Sequence, residues 1–419
     1  MRYGIAILLA LGLAIATPAP AGNAPSRPSI DAPELARLGE HAVGVATIEL
    51  VDAARGERRL PVDLWYPAVA AAGASPEIYS GSLTAEPPAS PTRFTRPGIA
   101  VRDAKRAAGR FQFVVVSHGY DNESVLLSWL TENLASKGYV VAAIRHRDPP
   151  ITDRARFPET LLHRPLDVAF VTRELQRSLG EEGFIDPART ALIGYSMGGY
   201  GVLTAAGGEL DPGSPLAQLV PDGGLAPYAR GGAQRNALQV PGIRAVVALA
   251  PAGGSLGAWG ADGLASITVP MLLIAGDRDF TVDYATGARA FFDQATNSNR
   301  YLLTYLGGGH HIGLGPAPEE MRTRLWDQDW FEDPVWRADR IVGINLHFIT
   351  AFLDRHLKDH AGRASYLDGL VEKSSKGEWP AAAGLSYDAY SPGTGEITSW
   401  KGFQRQYAEG LELLHAAPR

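Results

Sequence analysis

Between residues 111 and 306 short, strongly apolar segments alternate with stretches of helical spacing, and this alternation limits the chain to few architectures. Phe111 to Ser117, Tyr139 to Ile144, Thr190 to Gly194, Ile243 to Ala250, Met271 to Ala275 and Tyr301 to Leu306 read as strands. Ser124 to Lys137, Pro165 to Leu179, Gly199 to Ala206 and Phe280 to Ala295 read as helices. A strand that is apolar on both faces must be covered on both. Helical crossovers that return the chain to the start of the next strand give a mostly parallel sheet between two helical layers.

The flanking regions add to this frame. Val43 to Val51 and Arg59 to Trp65 alternate apolar and polar about a turn at Gly56, which predicts a hairpin. The main domain is expected over 41–362, with insertions at 67–110, 207–240 and 313–335. The last two follow strands that carry motifs, so they either roof a site or pack on the body. Trp326, Trp330, Phe331 and Trp336 bear on that choice, and Trp326 and Trp330 would share one helical face. Asp339 to His360 has an apolar helical stripe. Residues 363–419 read as a tail packed on the domain, with a last helix over Phe403 to Leu414 and with Trp379 and Trp400 as anchors.

The N-terminus has the pattern of an export signal. Arg2 precedes an apolar run from Ile5 to Ala16, which is short for a bilayer span, and Ala19-Pro20-Ala21 offers a small-x-small cleavage site. The expectation is a signal peptide over 1–21, a flexible lead-in over 22–40, and a periplasmic or secreted protein without stable membrane insertion. The 419 residues contain no cysteine, which excludes disulfides, thiol nucleophiles and thiolate metal sites. A net charge of −6 without a basic block points away from nucleic acid as a partner. Oligomeric state is not legible.

Chemistry concentrates at strand ends. Ala191-Leu-Ile193 runs into Gly194-Tyr195-Ser196-Met197-Gly198, a G-x-S-x-G placed where a strand stops and a helix begins. Small neighbours allow so sharp a turn, which exposes the serine hydroxyl above the sheet and aims the Met197 amide at an oxyanion site. A serine needs a base, and the base needs an orienting acid. Met271 to Gly276 ends in Asp277-Arg278-Asp279, which supplies two carboxylates. Tyr301 to Leu306 ends in three glycines and His310-His311. His310 is nearer the strand end, and His311 would point the other way. The order Ser, Asp, His is that of α/β-hydrolases. The first central strand ends in Ser117-His118-Gly119-Tyr120. There Gly119 permits close approach, the Tyr120 amide is the second candidate oxyanion donor, and His118 is read as a brace of the loop.

Leu64-Trp65-Tyr66-Pro67, Ser117-His118-Gly119, Gly194 to Gly199, Gly276-Asp277-Arg278-Asp279 and Gly307 to His310 together resemble the dienelactone hydrolase and platelet-activating-factor acetylhydrolase-like group of α/β-hydrolases. The resemblance covers about residues 43–360. It implies Ser196 as nucleophile, Asp279 as acid, His310 as base, and the amides of Tyr120 and Met197 as the oxyanion hole. Dienelactone hydrolases proper use a cysteine, so that substrate is not implied.

The expected function is therefore an exported serine hydrolase of small, short-chain carboxylic esters, acting through an acyl-enzyme. No cofactor and no metal are called for, because H-E-x-x-H and Cys/His clusters are missing. The alternatives are a non-catalytic binding module on the same scaffold, or a serine peptidase or lipase.

Overall fold

The computed structural model describes residues 33–70, 72–84, 90–324, 329–378, 398–403 and 408–419. The signal segment, most of the lead-in, Trp326 and Trp379 lie outside them. A ten-stranded sheet runs through the molecule in the order β12-β11-β10-β9-β8-β6-β7-β2-β1-β5. Its strands are β1 (Ala42–Asp52), β2 (Arg58–Ala68), β5 (Val101–Arg102), β6 (Phe111–Ser117), β7 (Tyr139–Ile144), β8 (Ile185–Tyr195), β9 (Ile243–Leu249), β10 (Met271–Gly276), β11 (Arg300–Tyr305) and β12 (Leu411–Ala416). The six strands from β7 across to β11 are parallel. The β1–β2 hairpin joins β7 antiparallel, and β12 joins β11 antiparallel.

Period-two alternation divides the core. Val114 and Val116 of β6 face one cluster, which holds α1 (Ser128–Ser136) and α6 (Ala338–Leu357). Phe113 and Val115 face the other, with α2 (Phe157–Glu181), α3 (Met197–Ala205) and α5 (Ala290–Gln294). This is the α/β-hydrolase fold. The chain leaves β6 for β7 on one side, then crosses back to β8 on the other. A crevice opens outside the carboxyl ends of a parallel sheet at such a reversal of strand order, and here it falls between the ends of β6 and β8.

Several elements depart from the sequence reading. Residues 67–110 do not form a plain excursion. β3 (Ile78–Leu83) and β4 (Thr92–Pro97) make a separate two-stranded sheet, and β5 pairs with β1. Over 280–295 the expected helix is broken. A wide turn at Ala285–Arg289, with Gly287 at φ −91° and ψ −116°, precedes only a short α5. The expected last helix is instead β12. Leu411 and Leu413 face one cluster and Leu414 and Ala416 the other, a period-two pattern, while an open edge of β11 stands ready to pair. Insertion 207–240 forms a short helix α4 (Pro215–Leu219) and several turns, with Leu216, Leu225 and Leu238 buried in the same cluster as α2.

α2 contains Pro165, which removes one helical amide and leaves the Leu161 carbonyl without its usual donor. The Tyr200 hydroxyl of α3 donates to that carbonyl at 3.0 Å. A break in one helix thus becomes a tie to the next.

Buried and part-buried histidines weaken the fold in acid. Burial, followed by the Arg164 charge, holds His118 well below its ordinary value and lowers His146. Burial, with Lys137 nearby, brings His347 down to about 3, and burial with Arg355 brings His356 down to about 4. In the unfolded chain each would take a proton near 6.5, so the unfolded state binds more protons as pH falls from there toward the folded values. Stability is complete above pH 6.5 and falls by about 1.4 kcal/mol per pH unit for each such histidine across that window. Thermal unfolding followed from pH 7 to pH 4.5 should show a steep loss. A flat profile would contradict it.

Candidate active site

β8 enters Ser196 with φ 53° and ψ −117°, a conformation costly for any residue with a side chain. The surroundings fix it there. The Ser196 amide donates to Leu249 O at 2.9 Å, and the Ser196 carbonyl accepts from Ala252 N at 2.9 Å. The glycines around it are required by close approach. A Cβ at Gly194 would collide with the Gly198 carbonyl. One at Gly198 would collide with the Ser117 carbonyl at the end of β6. One at Gly199 would lie 2.7 Å from Pro251 Cβ. The start of α3 therefore rests backbone-on-backbone against β6. The Met197 amide, the first of that helix, has no carbonyl behind it within the helix and sits at its positive end.

The acid and the histidine come from neighbouring strands whose turns interlock. The Arg278 amide donates to Gly308 O at 2.9 Å, and Asp277 Oδ1 accepts from Gly307 N at 2.6 Å. Asp333 Oδ2 accepts from Gly309 N at 2.7 Å. On this scaffold His310 Nε2 lies 3.0 Å from Ser196 Oγ, and His310 Nδ1 lies 2.7 Å from Asp279 Oδ2. The Asp279 carboxylate is buried, and its other oxygen accepts from Thr281 N at 2.9 Å and Val282 N at 3.1 Å. An ionised carboxylate with both oxygens occupied asks for a proton on Nδ1. That leaves Nε2 as the acceptor facing the serine.

Tyr195 backs the imidazole. Its ring centroid lies 5.3 Å from that of His310, and its hydroxyl donates to His310 O at 3.3 Å. Gly119 and Gly313 flank the same ring, where a Cβ at Gly313 would enter it. A Cβ built on Gly119 would also come within 3.5 Å of Ser196 Cβ, so the loop bearing Tyr120 lies directly against the serine.

The structure thus brings Ser196, His310 and Asp279 together and places Met197 and the Gly119–Tyr120 peptide beside them. It does not bring His311 or Asp277 into the group. His311 is displaced into a part-buried position where burial, then the neighbouring His310, lowers its pKa. Asp277 holds the glycine turn instead. His118 does brace its loop, with Nδ1 2.7 Å from Gly119 O. Of the pair expected to share a helical face, Trp326 lies outside the described residues. Phe331 and Trp336 are buried in the core, Trp336 donates to Leu306 O at 3.0 Å, and Trp330 is half-buried against the same cluster. Among the described residues no group of His, Asp or Glu is arranged to hold a metal ion, and no helix is long and apolar enough to cross a membrane.

Sequence reasoning missed Tyr195, Asp333 and the buried Arg164, Asp148, His146 and Asp167. They are common residue types in no telling pattern, and only the fold brings them near the site.

Known proteins share parts of this arrangement. A family model described as PETase, PET hydrolase-like, matches residues 98–219, which include Tyr120 and Ser196. Cutinase 1 of Thermobifida cellulosilytica is 27% identical over 203 residues, covering 48% of this chain and 60% of that enzyme. Cutinase of Thermobifida fusca (strain YX) is also 27% identical over 203 residues, covering 48% and 52%. The match thus spans little more than half the length of these relatives. A solved structure of a ferulic acid esterase from Streptomyces cinnamoneus superposes with a TM-score of 0.52 at 21% identity, over 80% of this chain and 93% of that one. The chain has the α/β-hydrolase fold, and the curated relatives it resembles in sequence are named cutinases.

Gly198→Ala tests the backbone contact. The added methyl meets the Ser117–His118 main chain, where nothing can rotate away, so the fold should lose about 3 kcal/mol or more. Chemical denaturation would measure it, and a variant as stable as the parent would refute the packing argument.

Proposed function

We propose that this chain is an exported serine hydrolase of carboxylic esters, with Ser196, His310 and Asp279 as its triad. The observation that carries the reading is the unbroken relay from Ser196 Oγ to His310 Nε2 and from His310 Nδ1 to Asp279, at 3.0 Å and 2.7 Å. His310 takes the Ser196 proton as Oγ attacks the acyl carbon. The amides of Met197 and Tyr120 receive the oxyanion. The imidazolium, held by Asp279, returns the proton to the leaving alcohol. Water then attacks the acyl carbon as His310 takes its proton, and His310 passes that proton to Ser196 Oγ as the acid leaves. Arg2, the apolar run to Ala16 and Ala19-Pro20-Ala21 support export.

Ser196→Ala should lower ester turnover by about a thousand-fold or more in a folded protein, since triad members act as a unit. Asp279→Asn and His310→Ala should be comparably severe. Asp277→Asn and His311→Ala should keep most of the activity. Steady-state rates together with fluorophosphonate labelling check this. Near-parental turnover by Ser196→Ala, or reversed severity within either pair, would overturn the assignment.

Small soluble short-chain esters remain the expected substrates. One observation favours an aromatic ester instead. Phe280 is 87% exposed, immediately after Asp279 at the mouth edge of the sheet. An exposed ring at that place offers a face for an aryl acyl group, in keeping with the feruloyl and aromatic-polyester names among the similar proteins. On a panel of acetyl, butyryl, long-chain acyl and feruloyl esters with cutin and polyethylene terephthalate, Phe280→Ala should raise KM for the aromatic esters several-fold. It should leave acetyl esters unchanged. Equal effects on both would return the reading to plain short-chain esters.

A further inference from the structure

Beneath the loop that carries Tyr120 lies a charged cluster that the proposed chemistry does not use. Arg164 of α2 is fully buried. Its guanidinium donates to His118 O, to Gly119 O at 2.8 Å and to Ser117 Oγ at 3.4 Å, and its Nε donates to Asp148 Oδ2 at 2.9 Å. His118 Nδ1 meets the same Gly119 carbonyl at 2.7 Å, and its Nε2 accepts from His146 N at 3.3 Å. These partners fix the His118 tautomer, with the proton on Nδ1. Behind them Ser117 Oγ lies 2.8 Å from His146 Nε2, and His146 Nδ1 lies 3.2 Å from Asp167 Oδ2. Asp167 is in turn held by Arg58 Nε and Nη2, both at 2.9 Å. Burial alone would raise the Asp167 pKa, but the bonds from His146 and Arg58 hold it well below the usual carboxylate range.

Ser117, His146 and Asp167 repeat the connectivity of a serine–histidine–acid relay, yet all three side chains are shut off from solvent. No ester can reach Ser117. The group is a support, and what it supports is one peptide plane. In a trans peptide the carbonyl and the following N–H point in opposite directions. Two donors, Arg164 and His118, hold the Gly119 carbonyl from the interior. The Tyr120 N–H is therefore turned outward, on the side where Gly119 lies against Ser196. A buried cation bonded to the carbonyl also polarises that peptide and strengthens its N–H as a donor. Burying a guanidinium is costly even when it is paired, and its placement on two consecutive loop carbonyls accounts for keeping it.

We propose that Arg164, with His118 as second donor, is a positioning residue that aims and polarises the Tyr120 amide of the oxyanion hole. This deepens the ester-hydrolase reading and rests on it. Removing an oxyanion donor costs about a hundred-fold to a thousand-fold in kcat, and loosening one should cost less. The Arg164→Lys enzyme keeps the charge and loses the fork. Its kcat on a p-nitrophenyl ester should fall at least about tenfold with KM within about twofold, and the midpoint of its pH–rate profile should stay in place because His310 is untouched. Affinity for a boronic acid, whose tetrahedral serine adduct occupies the hole, should fall in step with kcat. Parental kcat in the folded variant overturns the proposal. So does a loss that shifts the pH midpoint or leaves boronate affinity intact. If Arg164→Lys does not fold, His118→Ala removes the other donor to the same carbonyl, and the same outcomes decide. A crystal structure of the variant reads the Gly119–Tyr120 peptide without turnover: an unmoved plane refutes the positioning role. A wild-type enzyme without ester turnover refutes the function and the proposal with it, whereas an unmoved peptide plane in an active enzyme refutes the positioning role alone.

Discussion

The contact on which the site depends is between two stretches of backbone. The first turn of α3 lies so close to the end of β6 that Gly198 has no room for a Cβ beside the Ser117 carbonyl. That approach brings the strained serine turn against the loop bearing Tyr120. Both are held from behind, the serine by hydrogen bonds to Leu249 and Ala252 and the loop by Arg164 and His118. Strain of this kind persists only where the surroundings over-determine it. The parallel strands β6, β8 and β9, buried over their C-terminal halves, supply such surroundings.

The histidine and the acid follow the same logic one strand further on. Neither turn is rigid alone, because Gly307 to Gly309 has no side chains with which to brace itself. Asp277, Asp333 and the Arg278 amide close on that turn from three directions. His310 then projects over the edge toward Ser196 while Tyr195 backs its ring. Asp277 and Asp279, two residues apart, divide the labour between holding the turn and orienting the imidazole.

One group of buried charges lies next to the site. Arg164, Asp148, Asp167 and Arg58 sit among neutral histidines under the loop after β6. Protonating those histidines would set like charges beside Arg164, which ties the integrity of the loop to pH. The β3–β4 sheet is tied to the 313–335 insertion. Thr95 reaches Glu320 there, and Arg96 reaches Pro316 O.

The sequence determined the sheet and the positions of Ser196, Asp279 and His310 on it. The reason is that a strand buried on both faces must be continuously apolar, and glycine must stand where backbones touch. Both requirements leave a local trace. The β1–β2 hairpin and α6 were legible for the same reason. What the local pattern did not carry, the tertiary structure decided. Leu411 to Ala416 became a strand because β11 offered an open edge, although the same leucines also fit a helix. Phe331 and Trp336 packed on the body, because a neighbouring cluster was there to receive them. Arg164 acquired its place only when α2 was laid against the end of β6. Nothing next to it in sequence announces that its partners would be the carbonyls of His118 and Gly119, since a contact between residues far apart in the chain is set by packing and not by propensity.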